Sequence, residues 1–162
     1  MQPNSRVLDI GCGTGKLFPV IASLGKDIKI IGLDMCLEML KYAEKFKHPH
    51  LKLLHCFCEN IPLQSNSIDA VFVNDTFPHF HDQKQALLEI CRVLKKDGEL
   101  YIIHTNCSEQ VNQTHRNIGH PVAHDLLPPL ERLVALIEAY SFEVKTSKDT
   151  KDYLLINAQK VL

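Results

Sequence analysis

A glycine-rich segment near the start of the chain is the part of the sequence best suited to hold a ligand. Gly11, Gly13 and Gly15 follow the apolar run Arg6–Ile10 and precede a helical pattern. Glycines at such a junction let the backbone approach a ligand closely, and the N–H groups that open the helix favour an anionic group. The spacing therefore predicts a ligand site where the first strand ends.

Two common nucleotide-binding motifs do not fit this segment. A P-loop places a hydroxyl residue directly after its lysine to bind magnesium, whereas Leu17 follows Lys16 in this chain. A dinucleotide-binding motif of the Gly-x-Gly-x-x-Gly type needs its third glycine at the position that Lys16 occupies. A nicotinamide-dependent oxidoreductase is therefore disfavoured.

Polar residues at the end of the fourth apolar run are the candidates for catalysis. Asn74 and Asp75 follow the run 68–73, and His79 comes four residues later. Buried polar groups at a strand end need partners, and a free imidazole titrates near pH 6.5, so His79 is suited to act as a base. We expect Asn74, Asp75 and His79 to be catalytic, and His81 to be an exposed loop residue.

A second group of histidines lies in a long irregular stretch later in the chain. His115, His120 and His124 fall within a stretch that is too long for a simple connector, and loops of that length are usually functional. We expect them to recognise a substrate or to transfer protons. A metal or haem site built from His120 and His124 with His115 or Cys107 is the alternative, but Pro121 disfavours helical ligand geometry.

The order of elements that must position these residues indicates an α/β fold. Apolar runs that suit buried strands alternate with helical patterns as far as residue 104, which calls for right-handed crossovers and a parallel sheet. Two further strands are expected at 142–146 and 153–157. We therefore predict one domain over residues 1–162, Rossmann-like and doubly wound. Its seven-stranded sheet should be mostly parallel with an antiparallel C-terminal strand, and a substrate lid should lie at 105–129.

Composition and charge exclude several classes of function. The chain has 162 residues, of which 45% are hydrophobic and 23% charged, and its formal net charge is −1. Such a chain has no overall electrostatic attraction to nucleic acid or to an anionic membrane. No apolar run approaches the length of a membrane span, and the N-terminus does not resemble a signal peptide. We expect a cytoplasmic protein whose six cysteines are reduced.

The glycine-rich segment Val7–Gly15 resembles the first motif of class I S-adenosylmethionine-dependent methyltransferases, of the methyltransferase type 11 kind. The similarity continues to about Leu100, so it does not depend on one motif. The other segments that carry it are Ile31–Met35, Glu59–Leu63, Asn66–Asp69 and Arg92–Leu100.

The resemblance implies that the cofactor is S-adenosylmethionine and assigns roles to individual residues. Asp34 corresponds to the acid that binds the ribose hydroxyls, and Asp9 to the acid that supports the loop and the methionine amine. Phe57 stands where the family commonly has an Asp that binds the adenine amine, so the adenine contacts should differ. The implied cofactor-binding residues are Asp9, Gly11, Cys12, Gly13, Gly15, Asp34, Met35, Cys58, Glu59 and Asn74.

The resemblance also implies methyl transfer, and the expected acceptor is a small molecule. The dipeptide Asn74-Asp75 is not the Asn-Pro-Pro-Tyr type found in enzymes that methylate nucleic-acid amines. A non-catalytic module that binds S-adenosylmethionine or a partner is the alternative. The first strand begins near residue 6, so we expect the lid, or a partner subunit in a homodimer, to exclude water from the reaction.

Overall fold

Seven strands form one sheet in the computed structural model, which describes residues 1–162. They run in the order β3-β2-β1-β4-β5-β7-β6, and every neighbouring pair is parallel except the two that involve β7. The strands are β1 (Arg6–Ile10), β2 (Lys29–Asp34), β3 (Leu51–His55), β4 (Ile68–Asn74), β5 (Leu94–His104), β6 (Phe142–Asp149) and β7 (Leu154–Lys160). The expected α/β fold class, with an antiparallel C-terminal strand, is confirmed.

Five helices connect or flank the strands: α1 (Phe18–Ser23), α2 (Leu37–Ala43), α3 (Gln83–Val93), α4 (Ser108–Ile118) and α5 (Leu130–Glu138). Successive residues of a strand point to opposite faces of the sheet, and Val7 and Leu8 accordingly belong to different core clusters. Val7 packs with apolar side chains of α1 and α2, whereas Leu8 belongs to the cluster that contains those of α3 and α5. The sheet is therefore covered on both faces, as its apolar strands require.

Several element boundaries differ from the sequence pattern. The last two strands, expected at 142–146 and 153–157, span Phe142–Asp149 and Leu154–Lys160. The helix after the glycine-rich turn begins only at Phe18, with Pro19 in its first turn, where a residue without a backbone N–H leaves no donor unpaired. The fifth strand begins at Leu94, which pairs with Ile68. The pairing shifts before Glu99 because Asp97, with φ of 62°, turns the backbone within this irregular stretch.

The fold brings the loops after β1, β2, β4 and β5 to one edge of the sheet. β1 lies between β2 and β4, so the strand order reverses at β1, and ligands of such sheets bind at this reversal. The segment expected to be a lid consists of α4 and the irregular residues 119–129, and none of the residues of α4 is fully buried. The chain contains no helix with the length and apolar character that a membrane crossing demands.

Candidate functional site

The glycine-rich turn is held in place by backbone hydrogen bonds to the next strand. The N–H groups of Gly11 and Cys12 both donate to the carbonyl of Leu33, at 2.7 and 3.0 Å. Gly11 has a φ of 70°, and a Cβ atom there would lie 2.2 Å from Cγ2 of Thr76. Gly13 also has a positive φ, but a Cβ atom there would meet nothing within 4 Å. Gly11 is therefore required for packing, whereas Gly13 borders open space.

Asp34 joins the glycine-rich turn to the start of α2. One oxygen of its carboxylate accepts the N–H of Gly13 at 2.8 Å, and the other accepts the N–H of Cys36 at 2.8 Å. The side chain is buried and yet lines a cleft. Since a carboxylate has about four lone-pair positions, its oxygens can accept further hydrogen bonds from a ligand hydroxyl. The residue can thus hold both the turn and a ribose.

Asp9 is a buried acid without a complete set of partners. It is only 2% exposed, and its Oδ2 makes no hydrogen bond in the chain. Burial, together with the negative charge of Asp34, raises the pKa of Asp9 to about 7. Burial also raises the pKa of the neighbouring Cys12 thiol, so that this side chain behaves as a small neutral residue. An ammonium group beside Asp9 would supply the missing partner.

Three adjoining clefts run along the carboxyl edge of the sheet. The first is lined by residues that include Leu33, Asp34, Met35, Phe57, Cys58 and Glu59. The second includes His79, His81, Lys84, Val122, His124 and Asp125. The third includes Asp9, Gly13, Thr14, Asn74 and Asp75. Gly11 and Thr76 line both the first and the third cleft, whereas Met35 and His79 line both the first and the second.

The first cleft has a mainly apolar wall beside Asp34. Met35 and Phe57 are half exposed, and the Phe57 ring makes an edge contact with His81 at 5.4 Å between centroids. Cys58 is buried, and burial, followed by the charge of Glu59, raises the pKa of its thiol. Glu59 accepts the backbone N–H of Asp82 at 3.1 Å, which fixes it to the start of α3. These surfaces suit a flat aromatic ring.

Asn74 and Asp75 lie beside the glycine-rich turn, but Asp75 is engaged with β5. Its backbone has a φ of 52°, which turns the chain out of β4, and the side-chain amide of Asn74 donates to Oδ2 of Asp75 at 3.0 Å. Oδ1 of Asp75 accepts the N–H of Thr105 at 2.8 Å, and it lies 3.6 Å from Nδ1 of His104. His104 is buried, and burial lowers its pKa to about 4, so it is neutral at pH 7.

The expected histidine group is only partly brought together. His115 lies 4.9 Å from His79 between ring centroids, and its Nδ1 contacts the backbone carbonyl of Asp125. His124 is exposed and lines the second cleft, whereas exposed His120 lines none of the three clefts. No group of three or more His, Cys, Asp or Glu side chains in the chain is arranged to hold a metal ion.

Two residues of the site, Thr76 and Asp125, received no individual role from the sequence. Thr76 packs against Gly11 and donates its hydroxyl to the carbonyl of Asn74 at 2.8 Å. Oδ2 of Asp125 lies at hydrogen-bond distance, 2.8 Å, from Nδ1 of His79. A carboxylate within a histidine-rich stretch is a common partner of an imidazole, and that signal was present next to His124.

The residues present fit the cofactor that the resemblance implies. The unpartnered oxygen of Asp9 suits the methionine amine, Asp34 suits the ribose hydroxyls, and the wall of Met35 and Phe57 suits the adenine ring. The third and first clefts meet at Gly11, so one extended ligand can occupy both. The second cleft adjoins them and is available to a different molecule.

Comparison with known proteins agrees with this arrangement. A family model described as a methyltransferase domain matches residues 8–102. An uncharacterized methyltransferase of Mycobacterium bovis is 32% identical over 149 residues, which cover 92% of this chain and 59% of that protein. A demethylmenaquinone methyltransferase of Chlorobaculum tepidum is 36% identical over 98 residues, which cover 60% of this chain and 40% of that protein.

A solved structure shares the whole fold. The S-adenosylmethionine-dependent methyltransferase of Aquifex aeolicus superimposes with a TM-score of 0.80 and 23% identity, over 99% of this chain and 84% of that one. The chain spans 59% of the length of the Mycobacterium relative and 40% of that of the Chlorobaculum relative.

Proposed function

Because the chain belongs to the methyltransferase domain family, we propose that it is an enzyme that transfers a methyl group from S-adenosylmethionine to a small-molecule acceptor. The observation that carries the proposal is the meeting of the clefts. A cofactor that extends from Asp9 to Met35 would occupy the third and first clefts, and an acceptor in the second cleft would reach it beside His79.

The cofactor side of the site would act by binding and alignment. When bound, S-adenosylmethionine supplies a methyl group on a positively charged sulfur. Asp9 and Asn74 would face the methionine end of the cofactor, and Asp34 would bind its ribose. The turn residues Gly11, Cys12, Gly13 and Gly15 would lie along the methionine part of the cofactor. Met35, Cys58 and Glu59 would border the adenine. Alignment of this kind accounts for much of the rate in displacements that need no covalent intermediate.

The acceptor side supports a small molecule. The second cleft has a volume of about 950 Å³, which lies at the upper end of the range for small-ligand sites. The net charge of −1 gives no general attraction to nucleic acid. The Chlorobaculum relative is named for a small-molecule acceptor, demethylmenaquinone. We assign acceptor contacts to His115, which lies against His79, and to His124, and catalytic contacts to Asn74, Asp75 and His79, with residues 105–129 covering the acceptor. Exposed His120 lies outside the clefts and receives no contact.

Replacement of Asp34 tests the cofactor assignment. Asp34→Ala should weaken the binding of S-adenosylhomocysteine by about 1.5–3 kcal/mol, the range for hydrogen bonds to a charged group. The measurement is isothermal titration calorimetry, with Asp34→Asn as the conservative variant and Asp152→Ala, a change at an exposed acid between β6 and β7, as the control. Tight binding of NAD by the unaltered protein, without binding of S-adenosylhomocysteine, would exclude the proposed cofactor.

Methyl transfer itself separates an enzyme from a module that only binds the cofactor. The protein is incubated with S-adenosylmethionine and a set of hydroxyl, amine and thiol acceptors, and S-adenosylhomocysteine is quantified. Hydrogen exchange of residues 118–129 is measured with and without ligand, because a closing lid should become protected. Strong cofactor binding without turnover on any acceptor, and without protection of these residues, would favour the binding module.

A further inference from the structure

The side chains of His79 and Asp125 are hydrogen-bonded at the boundary between two clefts. Nδ1 of His79 lies 2.8 Å from Oδ2 of Asp125, and the side chains are 34% and 33% exposed. His79 lines both the first and the second cleft, whereas Asp125 lines only the second. The pair therefore lies where an acceptor would meet the cofactor, and it is still accessible to a ligand.

The backbone around Asp125 is fixed to one face of α4. The side-chain amide of Asn112 donates to the carbonyl of Leu127 at 2.9 Å, and its oxygen accepts the N–H of Leu127 at 2.8 Å. His115, one turn further along the helix, contacts the carbonyl of Asp125 through Nδ1. The N–H of Asp125 donates to the carbonyl of Val122 at 2.9 Å. These contacts hold the Asp125 carboxylate in position.

The contact with Asp125 selects one tautomer of His79. An ionised carboxylate only accepts hydrogen bonds, so Nδ1 must carry the proton in the neutral ring. Nε2 then has the free lone pair, and no hydrogen bond in the chain involves that atom. A carboxylate on Nδ1 also stabilises the imidazolium that forms when Nε2 takes up a proton, as in hydrolases that pair an aspartate with a histidine.

We propose that His79 is the catalytic base, that Asp125 is its positioning residue, and that the acceptor carries an aromatic hydroxyl group. This inference rests on the proposed function. A neutral amine or a thioether reacts with a sulfonium through an existing lone pair and needs no base, whereas a phenolic hydroxyl has to lose its proton. The apolar wall of the second cleft, which includes Phe80, Val122, Leu126 and Leu136, suits an aromatic ring.

The proposed step balances in atoms and charge. The acceptor hydroxyl gives its proton to Nε2 of His79, and the oxygen lone pair forms a bond to the methyl carbon. The carbon–sulfur bond breaks, and its electron pair stays on sulfur, which becomes the neutral thioether of S-adenosylhomocysteine. The positive charge leaves the sulfonium and appears on the imidazolium beside Asp125. His79 later releases the proton to solvent.

The titratable groups that face His79 come from several elements. Asp125 contacts its Nδ1, and the ring of His115 on α4 lies 4.9 Å from its ring, between centroids. Burial keeps His104 neutral at pH 7. Other titratable or charged groups in the clefts that His79 lines are Asp34, Cys56, Cys58, Glu59, His81, Asp82, Lys84 and His124.

The tautomer of His79 tests the pair without any acceptor or turnover. Nitrogen-15 NMR of the labelled protein distinguishes a ring that is protonated at Nδ1 from one that is protonated at Nε2, and His79→Gln assigns the signal. We expect the Nδ1-protonated form in the unaltered protein and a shift towards the Nε2-protonated form in Asp125→Asn. Glu131→Gln, which changes an exposed acid at the start of α5, is the control. An Nε2-protonated ring in the unaltered protein would overturn the proposal.

Two matched acceptors test the chemistry. With 1-naphthol at pH 7, His79→Gln should lower the rate of methyl transfer about 100-fold or more, the usual contribution of a general base, and Asp125→Asn should lower it about 10-fold or more. With 1-naphthylamine, whose nitrogen already has a lone pair, the loss of rate in each variant should be at least about fivefold smaller than its loss with 1-naphthol. The deficit with naphthol should shrink above about pH 9, as phenolic hydroxyls ionise without help.

The outcomes separate this inference from the proposed function. S-adenosylhomocysteine affinity should stay within about threefold in both variants, which also shows that they are folded. Equal losses with the two acceptors, or transfer to naphthylamine but not to naphthol, would overturn the hydroxyl acceptor while leaving methyl transfer intact. Failure of the unaltered protein to bind S-adenosylhomocysteine would instead refute the proposed function, and the NMR result would still decide whether Asp125 sets the tautomer.

Discussion

The proposed cofactor side and the proposed acceptor side of the cleft system are built in different ways. The glycine-rich turn directly follows β1, and Asp34 is the last residue of the neighbouring parallel strand β2. Backbone hydrogen bonds from Gly11 and Cys12 to Leu33 join the two. His79 and Asp125 are 46 residues apart in the chain and meet through side chains that are about one third exposed. The first region is therefore part of the sheet, whereas the second depends on the docking of a separate segment.

This difference indicates which side of the site can change without loss of the fold. Substitutions near Gly11 alter contacts that β1, β2 and β4 share, so they affect both ligand binding and folding. The segment that carries Asp125 is attached to α4 by a few hydrogen bonds and has few fully buried residues. Such a segment can alter its sequence to suit another acceptor at little cost to the sheet.

A pair of glycine substitutions should give the largest effect. Gly11→Ala places a Cβ atom 2.2 Å from Cγ2 of Thr76 at a φ of 70°, so overpacking and backbone strain should lower the free energy of unfolding by about 2–4 kcal/mol. S-adenosylhomocysteine binding should fall with it. Gly13→Ala has no such clash and should cost only the strain of a positive φ, about 1–2 kcal/mol.

Denaturant unfolding and calorimetry of the two variants check this expectation. The comparison is matched because both glycines have a positive φ and lie in the same turn. Equal losses of stability at the two positions would contradict the contact with Thr76 as the reason that position 11 requires glycine.

Two buried groups, Asp9 and His104, should have opposite effects on how the free energy of unfolding depends on pH. The folded protein holds a proton on Asp9 up to about pH 7, whereas an unfolded Asp loses it near 3.8, so unfolding releases a proton and stability falls as pH rises. His104 stays neutral down to about pH 4, whereas an unfolded His binds a proton below 6.5, so stability rises with pH. Between about pH 4 and 6.5 the two dependences should largely cancel.

Single variants should reveal each dependence. Asp9→Asn should leave a free energy of unfolding that rises with pH between 4 and 6.5, relative to the unaltered protein, by up to about 1.4 kcal/mol per pH unit. His104→Gln should produce the opposite relative slope. Urea unfolding at half-unit intervals of pH measures both. Parallel curves for the three proteins would show that neither group has the shifted pKa.

The smallest effect on stability is expected where residues 119–129 are attached to α4. Asn112→Ala removes two hydrogen bonds to Leu127, each worth about 0.5–1.5 kcal/mol. Hydrogen exchange of residues 119–129 should therefore become about tenfold faster, since this segment can open without the sheet. Exchange in β1 and β4 should stay unchanged. Gln113→Ala, at an exposed neighbour on the same helix, is the control, and equal acceleration in both variants would contradict the attachment by Asn112.

The sheet and its glycine-rich turn could be predicted from the sequence because their signals are local. The apolar run 6–10 and the glycines that follow it are adjacent in the chain, and the run matches β1. The shift in β5 could not be predicted, because the pairing of Leu94 with Ile68 depends on how two distant segments align.

The acceptor side shows where sequence reasoning stops. His79 and His115 were identified by residue type. Nothing in their spacing indicates that both contact Asp125, His79 through its carboxylate and His115 through its backbone carbonyl. The expected cluster of three histidines also groups residues by nearness in sequence, whereas exposed His120 lies away from the clefts. Contacts between half-exposed side chains of distant segments leave no periodic pattern, so only the three-dimensional structure reveals them.

The position of β7 between β5 and β6 has a consequence for how the chain folds during synthesis. The strand comes last among the seven, yet it occupies an interior place in the sheet. Until residues 154–160 have left the ribosome, β5 therefore remains an open edge with unpaired backbone groups, next to the apolar residues Leu100 and Ile102. Open edges of this kind pair readily with other chains. The nascent protein thus passes through a stage at which chaperone protection matters most.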